Sequence, residues 1–213
     1  MTLKVIKGAC TLCEKEYTRS GMGKHLASCL TKQPAKPIMD DERLSLHLQV
    51  TTRYPSDYWL HLHTDERATF KTLDTFLRKL WLECCGHMSQ FFVGRQIIGM
   101  HGRLVTSLRT GYEIDYDYDM GDTTQLRVKV LGAYQGLAPG GKAISILARN
   151  HPPEIPCDDC EKRPAVCICP ECNWEGDGWL CRKCETQHSC GDEVDYLPIP
   201  NSPRAGVCGY TGA

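Results

Sequence analysis

The stretch CDDCEKRPAVCICPECNWEGDGWLCRKCETQHSC, residues 157–190, holds eight of the 14 cysteines of this 213-residue chain and one histidine. Its cysteines recur in pairs with two residues between them, a spacing that lets a tight turn present two thiolates to one zinc ion at ~2.3 Å. The segment is acidic and has few large apolar side chains, so we expect metal ions to fold it. Its pairs supply two four-ligand sites, built from Cys157, Cys160, Cys169, Cys172, Cys181, Cys184, His188 and Cys190.

The order of these pairs resembles the cross-brace zinc folds, and the ZZ-type finger in particular. The resemblance implies that the first and third pairs share one zinc ion and that the second and fourth pairs share the other. The chain departs from the ZZ pattern at Cys190, where such a finger has a second histidine, and at the additional Cys167. Cys167 and Cys169 are both candidates for the second site. Because four protein ligands leave no position for water or substrate, we predict structural rather than catalytic metal ions.

The rest of the composition indicates where such thiols stay reduced. Hydrophobic residues make up 41% of the chain, yet no run approaches the ~20 apolar residues of a membrane span. The N-terminus, MTLKVIKGACTLC, has no apolar region of secretory length. We therefore expect a cytoplasmic protein without a membrane partner, in which clustered cysteines bind metal rather than form disulfides. An iron–sulfur cluster is the alternative that cysteine spacing leaves open.

A second cysteine motif, CTLCEKEYTRSGMGKHLASC at residues 10–29, predicts a C2HC zinc finger of the ββα kind. A two-cysteine turn would face a helix on which a histidine and a cysteine lie one turn apart. Ser20 is the predicted N-cap of that helix, and Tyr17, Met22 and Leu26 its small core. With the tail, this motif brings the expected number of zinc ions to three. Its ligands are Cys10, Cys13, His25 and Cys29.

The net charge of −1 conceals an asymmetry between the two ends of the chain. Residues 1–37 carry seven basic and two acidic residues, whereas residues 151–213 carry five basic and eleven acidic residues. A basic finger favours phosphate contacts, although one finger covers only ~3 base pairs and reads little sequence. We expect nucleic acid or a ribonucleoprotein at the finger and a protein partner at the middle and C-terminal modules. The candidate nucleic-acid contacts are Lys15, Arg19, Lys24 and Lys32.

Two proline-bearing stretches, TKQPAKPIMDDE (31–42) and RNHPPEIP (149–156), predict linkers that divide the chain into 1–37, 38–150 and 151–213. Between them, alternating segments such as RLSLHLQVTT and DYWLHLHT predict strands, and FKTLDTFLRKLWLECCGH predicts one amphipathic helix that ends near Gly86. The predicted fold class is α+β, with one helix packed on a largely antiparallel sheet and two small zinc-binding modules at its sides.

WLECCGHMSQF (81–91) and YDYDMGDTTQLRVKV (116–130) carry a resemblance to a known family. Together with the strand–strand–helix segment before them, they resemble the Ri-plasmid ORF-three-like family, often labelled insertion-element passenger resolvase-like proteins. Members with a C-terminal segment like NSPRAGVCGYTG (201–212) look similar as well. The resemblance covers roughly residues 43–150 and implies an α+β fold. It implies no activity, because the family has no secure biochemical function and no catalytic serine motif of a resolvase is visible.

Five further residues are candidates for a possible metal or thiol site: Cys84, Cys85, His87, Cys167 and Cys208. For the first three we favour the interpretation that two cysteines pack at a helix C-terminus, where a histidine interacts favourably with the helix dipole. His61 and His63 share one face of a strand and could bind a metal ion together with an acidic neighbour, but we expect them to be polar surface groups.

Three functions remain open at this point. The first is a non-enzymatic adaptor with a zinc scaffold, which we rank above the others. The second is a nucleic-acid-processing hydrolase with a site around His87, Asp119 and Asp122. The third is a thiol or metal sensor that uses Cys84, Cys85 and Cys208.

Overall fold

The computed structural model describes residues 5–32, 44–54, 57–136, 141–190 and 194–212. The chain forms two compact units. The first contains the residues up to Leu77 together with Met88–His151, and the second contains Arg78–His87 together with the residues from Pro152 onward. The predicted linker at 31–42 lies outside the described residues beyond Lys32. The division of the chain at 37/38 and 150/151 stays a prediction.

The first unit is built on one nine-stranded sheet in which every described pair of neighbours is antiparallel. The spatial order is β2-β1-β9-β4-β3-β8-β7-β5-β6. The strands are β1 Lys7–Cys10, β2 Glu16–Thr18, β3 Leu44–Thr52, β4 Trp59–Thr64, β5 Ser89–Val93, β6 Gln96–Ile98, β7 Glu113–Tyr118, β8 Thr124–Gln135 and β9 Ile144–Asn150.

Buried and more exposed side chains alternate along β7, so one face of the sheet is accessible to solvent there. Tyr116 and Tyr118 are buried, whereas the acidic residues between and before them point the other way. On that face Arg127 donates to Asp115 at 3.0 Å and the Lys129 ammonium donates to Glu113 at 2.6 Å. Exposed pairs of this kind are worth ~0–1 kcal/mol each, so the buried tyrosine side supplies most of the stability.

Three helices belong to the first unit: α1 Arg19–Lys32, α2 Phe70–Leu77 and α3 Leu104–Ser107. As predicted, α2 buries Phe70, Leu73 and Leu77, which recur at helical spacing. The chain then continues as a π-helical turn, Arg78–Leu82, so the helical segment ends before Gly86. Gly86 adopts a left-handed φ of +85°, a conformation that glycine takes without steric cost.

The N-terminal finger is continuous with the sheet. Strand β1 pairs with β2 on one side and with β9 on the other. Met22 and Leu26 of α1, both fully buried, pack into one cluster with Trp59, Leu147 and Ala148. The finger therefore takes part of its core from β4 and β9.

The start of α1 differs from the prediction. The helix begins at Arg19, and the Gly21 N–H donates to Thr18 Oγ1 at 3.3 Å. Thr18 is therefore the N-cap, and the expectation that Ser20 takes this role is wrong. The reason is that the chain turns helical one residue before Ser20.

The second unit has little regular structure. Its strands are β10 Cys167–Ile168, β11 Trp179–Leu180 and β12 Leu197–Pro198, in the order β11-β10-β12, and its helices are α4 Pro170–Asn173 and α5 Arg182–Glu185. One buried cluster of this unit consists mostly of cysteine: Cys157, Cys167, Cys169, Leu180 and Cys181.

The predicted α+β class is confirmed, with most of the regular structure in the antiparallel sheet. Across the described ranges, no helix combines the length and apolarity that crossing a bilayer requires.

Candidate metal centres

The structure brings Cys and His side chains together in four groups, in each of which all ligand atoms lie within 4.8 Å of one another. Three groups unite the twelve predicted ligands in the predicted combinations, including the cross-brace pairing. The fourth group was expected only as a possibility. The groups are Cys10/Cys13/His25/Cys29, Cys157/Cys160/Cys181/Cys184, Cys169/Cys172/His188/Cys190 and Cys84/Cys85/His87/Cys208.

The distances between sulfur atoms indicate which kind of ion these groups fit. Cys160 and Cys181 Sγ lie 3.8 Å apart, and Cys172 and Cys190 Sγ lie 3.6 Å apart. Four thiolates around an ion at ~2.3 Å are separated by about 3.8 Å at the edges of a regular tetrahedron. A disulfide would need ~2.05 Å, and every cysteine in the chain is free. The spacing therefore fits a tetrahedral thiophilic ion such as zinc.

In the finger, a turn and a helix supply the four ligands. Cys10 and Cys13 flank the turn that follows β1, while His25 and Cys29 lie four residues apart on α1. Cys13 Sγ lies 3.3 Å from His25 Nε2. The Lys15 backbone amide lowers the pKa of Cys13, which favours the thiolate that binds metal. Burial lowers the pKa of His25, which favours the neutral, ligating imidazole.

The all-cysteine group of the second unit uses two two-cysteine turns. The backbone amide of Cys184 is the main cause that lowers the pKa of Cys181 to about 6. Burial is the main cause that raises the pKa of Cys184 to about 12, and neighbouring thiols add to it. A divalent cation resolves this conflict because it replaces the thiol protons and neutralises the thiolates.

The other cross-brace group decides between the two cysteines of CICPEC. Cys169 joins Cys172, His188 and Cys190, and Cys172 Sγ lies 3.2 Å from His188 Nε2. The Cys167 thiol instead donates to the Leu180 carbonyl at 3.7 Å. Burial raises the pKa of Cys167 to about 11, which keeps it a protonated core thiol.

The fourth group corrects the expected number of sites. Three four-ligand sets were predicted, and the described residues form four. Cys85 Sγ lies 3.0 Å from His87 Nε2 and 3.6 Å from Cys208 Sγ, although Cys208 is 123 residues away in the sequence. Adjacent cysteines and a single distant one do not match a paired spacing, so the sequence indicated only a possible site.

The predicted nucleic-acid contacts all face solvent. Lys15 lies in the finger turn, and Arg19, Lys24 and Lys32 lie along α1. Between them, α1 exposes small side chains such as Ala27, Ser28 and Thr31, and it has no acidic residue in its first turn.

The second unit presents the opposite charge. Trp174, directly after α4, is 89% exposed. Glu171, Glu175 and Asp177 surround it in sequence and are exposed as well. A large aromatic ring in an acidic loop is a surface that suits a cationic partner.

Sequence reasoning was wrong about the histidines of the sheet. His61 and His63 are buried, and so is His47 on the neighbouring strand β3. His47 Nε2 lies 2.8 Å from His61 Nδ1. Burial lowers the pKa of His47 and His63 to about 4 and that of His61 to about 3, so all three are neutral in the folded protein. Alternation alone shows that such residues share a face but not which face is covered.

Two of the three residues of the hydrolase hypothesis take part in other local structure. His87 belongs to the fourth cysteine group. One carboxylate oxygen of Asp119 accepts the Gly121 N–H at 2.9 Å, and Asp119 has a left-handed φ of +66°. Asp122 is exposed. Asp119 thus stabilises the turn between β7 and β8.

No protein-family profile and no curated protein matches the chain. Among solved structures, it is similar to a protein of unknown function from Methanosarcina mazei Go1. The two are 16% identical, the match covers 49% of this chain and 67% of the other, and the TM-score is 0.42. A similarity at this level carries no argument about function.

Proposed function

We propose that this chain is a non-enzymatic adaptor with a zinc scaffold, in which the basic finger contacts nucleic acid or a ribonucleoprotein and the acidic second unit contacts protein. The observation that carries the proposal is the completeness of the metal groups. Each has four protein ligands at tetrahedral spacing, which leaves no position for a substrate or an activated water. Metal ions held in this way stabilise surfaces rather than perform chemistry.

The finger supports the nucleic-acid part of the proposal. Its four exposed basic residues stand on a helix and turn that are tied to the large sheet through β1 and β9. The small side chains between them would allow a sugar–phosphate backbone to approach closely. Binding of this kind depends mainly on phosphate neutralisation and therefore on salt.

The second unit supports the protein part. Its exposed Trp174 and the acidic residues around it would bind a lysine- or arginine-rich segment through cation–π and ionic contacts. The membership of residues 43–150 in the Ri-plasmid ORF-three-like family and a cytoplasmic location are parts of the same proposal. The hydrolase alternative has less support, because Asp119 is engaged in a turn.

Fluorescence anisotropy with single- and double-stranded RNA and DNA tests the nucleic-acid part. We expect sequence-tolerant binding near ~50 mM salt that weakens steeply as salt increases, because counterions are released. The double substitution Arg19→Glu and Lys24→Glu should weaken binding to all ligands alike, flatten the salt dependence and leave the zinc content unchanged. Lys79→Glu, which reverses an exposed charge outside the finger, is the matched control. Absence of binding at low salt, or unchanged affinity after the double substitution, would remove nucleic acid from the proposal.

A further inference from the structure

Cys84, Cys85, His87 and Cys208, here called the tail cluster, join two segments of the second unit. The first three follow the π-helical turn, and Cys208 lies in the C-terminal segment Asn201–Gly212. Cys84 and Cys85 Sγ lie 3.7 Å apart, and His87 Nε2 lies 3.4 Å from Cys208 Sγ. These distances equal those within the three predicted zinc groups, within a few tenths of an ångström.

A buried arginine beside the tail cluster indicates the charge state of its sulfur atoms. Arg204 has no exposed surface, and its Nη2 donates to Cys84 Sγ at 3.6 Å. A guanidinium is always charged, and its burial is costly unless negative charge lies close to it. Three thiolates, one neutral imidazole and one divalent ion together carry a single negative charge. A metal-filled tail cluster would therefore place negative charge beside Arg204, whereas three neutral thiols would place none there.

The backbone of the tail cluster resembles that of two of the four predicted two-cysteine turns. Glu14 after Cys13 and Glu161 after Cys160 have left-handed φ values of +61° and +52°. Gly86 takes the same place after Cys85 with a φ of +85°. Cys208 is itself left-handed, with a φ of +53°. A non-glycine residue in this region costs about 1 kcal/mol or more, and a bond to metal would compensate for that cost.

Hydrogen bonds hold the C-terminal segment where Cys208 meets the other ligands. Ser202 Oγ donates to the Trp81 carbonyl at 2.6 Å and accepts from the Arg204 N–H at 2.8 Å. Further along, Asn173 Nδ2 donates to the Gly206 carbonyl. The segment thus crosses from the end of the π-helical turn to helix α4 within the second unit.

We propose that the tail cluster is a fourth metal site, which binds a thiophilic divalent ion of the zinc class and fastens the C-terminal segment, with Arg204 as the cation that balances its charge. Binding exchanges the protons of the three thiols for the metal ion and releases those protons to solvent. Each of the other three groups contains at least one buried cysteine, whereas all four ligands of the tail cluster are partly or fully exposed. The ion of the tail cluster is therefore the one that a chelator removes first. This inference does not depend on any partner of the adaptor.

Zinc content of the reduced full-length protein is the first measurement. We expect four zinc ions per chain, three after Cys208→Ser or Cys85→Ser, and four after Cys167→Ser. Cys167 is the matched control because it is a cysteine outside all four groups. If Cys208→Ser is insoluble, the stoichiometry of the unaltered chain and of Cys85→Ser decides. Three zinc ions in the unaltered chain, or four zinc ions in both Cys208→Ser and Cys85→Ser, would overturn the proposal.

The role of Arg204 needs a separate measurement. In a competition with a chromogenic chelator, Arg204→Met should weaken the most easily removed zinc ion by roughly 10- to 100-fold, as loss of a hydrogen bond to a ligand does elsewhere. The other three ions should be unaffected. Arg204→Lys keeps the charge and should give a smaller loss. When Co²⁺ replaces zinc, the thiolate-to-cobalt absorption of Cys208→Ser should be lower than that of the unaltered protein by the contribution of one bound cobalt ion. If the affinity of the most easily removed ion is the same in Arg204→Met as in the unaltered protein, Arg204 does not have the proposed role.

Discussion

The finger and the double cross-brace contain the same kinds of metal ligands but are supported differently. Around the finger, Met22 and Leu26 share a core with Trp59, Leu147 and Ala148, and β1 continues the sheet through β9. In the second unit, the buried cluster is mostly cysteine, and the strands are two residues long. Metal should therefore add stability to an existing core in the first unit, whereas it should be the main source of folding energy in the second.

Removal of metal should have the largest effect on folding, because the second unit depends on metal for most of its stability. With a strong chelator under reducing conditions, we expect residues 157–190 to lose their structure, because structural zinc contributes ~10–16 kcal/mol to folding such small modules. The sheet strands β3, β4, β7 and β8 should remain protected, since their core is apolar. Hydrogen exchange resolved by segment measures both. The same loss of protection in both units, in one cooperative step, would contradict the distinction.

Acid should have a smaller, graded effect on the first unit, because His47, His61 and His63 are buried in the neutral form. Burial lowers their pKa to about 4, about 3 and about 4, whereas the unfolded chain takes up protons near pH ~6.5. The unfolded state binds more protons between these values, so the free energy of unfolding decreases as the pH falls from ~6.5 to ~4. Above that range, these histidines leave it unchanged. Each contributes a slope of up to ~1.4 kcal/mol per pH unit.

The substitution His63→Gln separates this effect from acid release of metal. Urea unfolding of the full chain at several pH values should show a shallower dependence for His63→Gln than for the unaltered protein between pH ~6.5 and ~4. His101→Gln, which changes an exposed histidine, should leave the dependence unchanged. Equal slopes in all three proteins would mean that the buried histidines are not the cause.

The sequence predicted the features that residues close together in the chain determine, but it did not predict those that depend on residues far apart in the chain. Zinc ligands spaced by two or three residues were predictable, because one turn or one helix face fixes their geometry. Strands were predictable from alternation, as β7 shows. The position of β1 beside β9 was not, since pairing over such a separation leaves no local pattern.

Burial of polar residues was also beyond the sequence. His47 lies in the alternating strand β3, and nothing in that pattern tells which face is covered. Nothing in the sequence indicated that Arg204 is buried. It lies beside the tail cluster, in which Cys85 and Cys208 are 123 residues apart in the sequence. Distant contacts of both kinds required the structure.

The smallest expected effect comes from the first turn of α1, where substitutions of Thr18 and Ser20 can be compared. Thr18→Ala removes the side chain that accepts the Gly21 N–H, and loss of an N-cap typically costs about 1 kcal/mol. Because the sheet holds β1 in place, the finger should remain folded and lose roughly fivefold in zinc affinity, the factor that corresponds to this energy. Ser20→Ala, which changes the second residue of the helix, should change the zinc affinity little. A chelator competition on the full chain measures both variants. A greater loss for Ser20→Ala than for Thr18→Ala would restore Ser20 as the cap, whereas unfolding of the finger by Thr18→Ala would show that the sheet gives it no independent support.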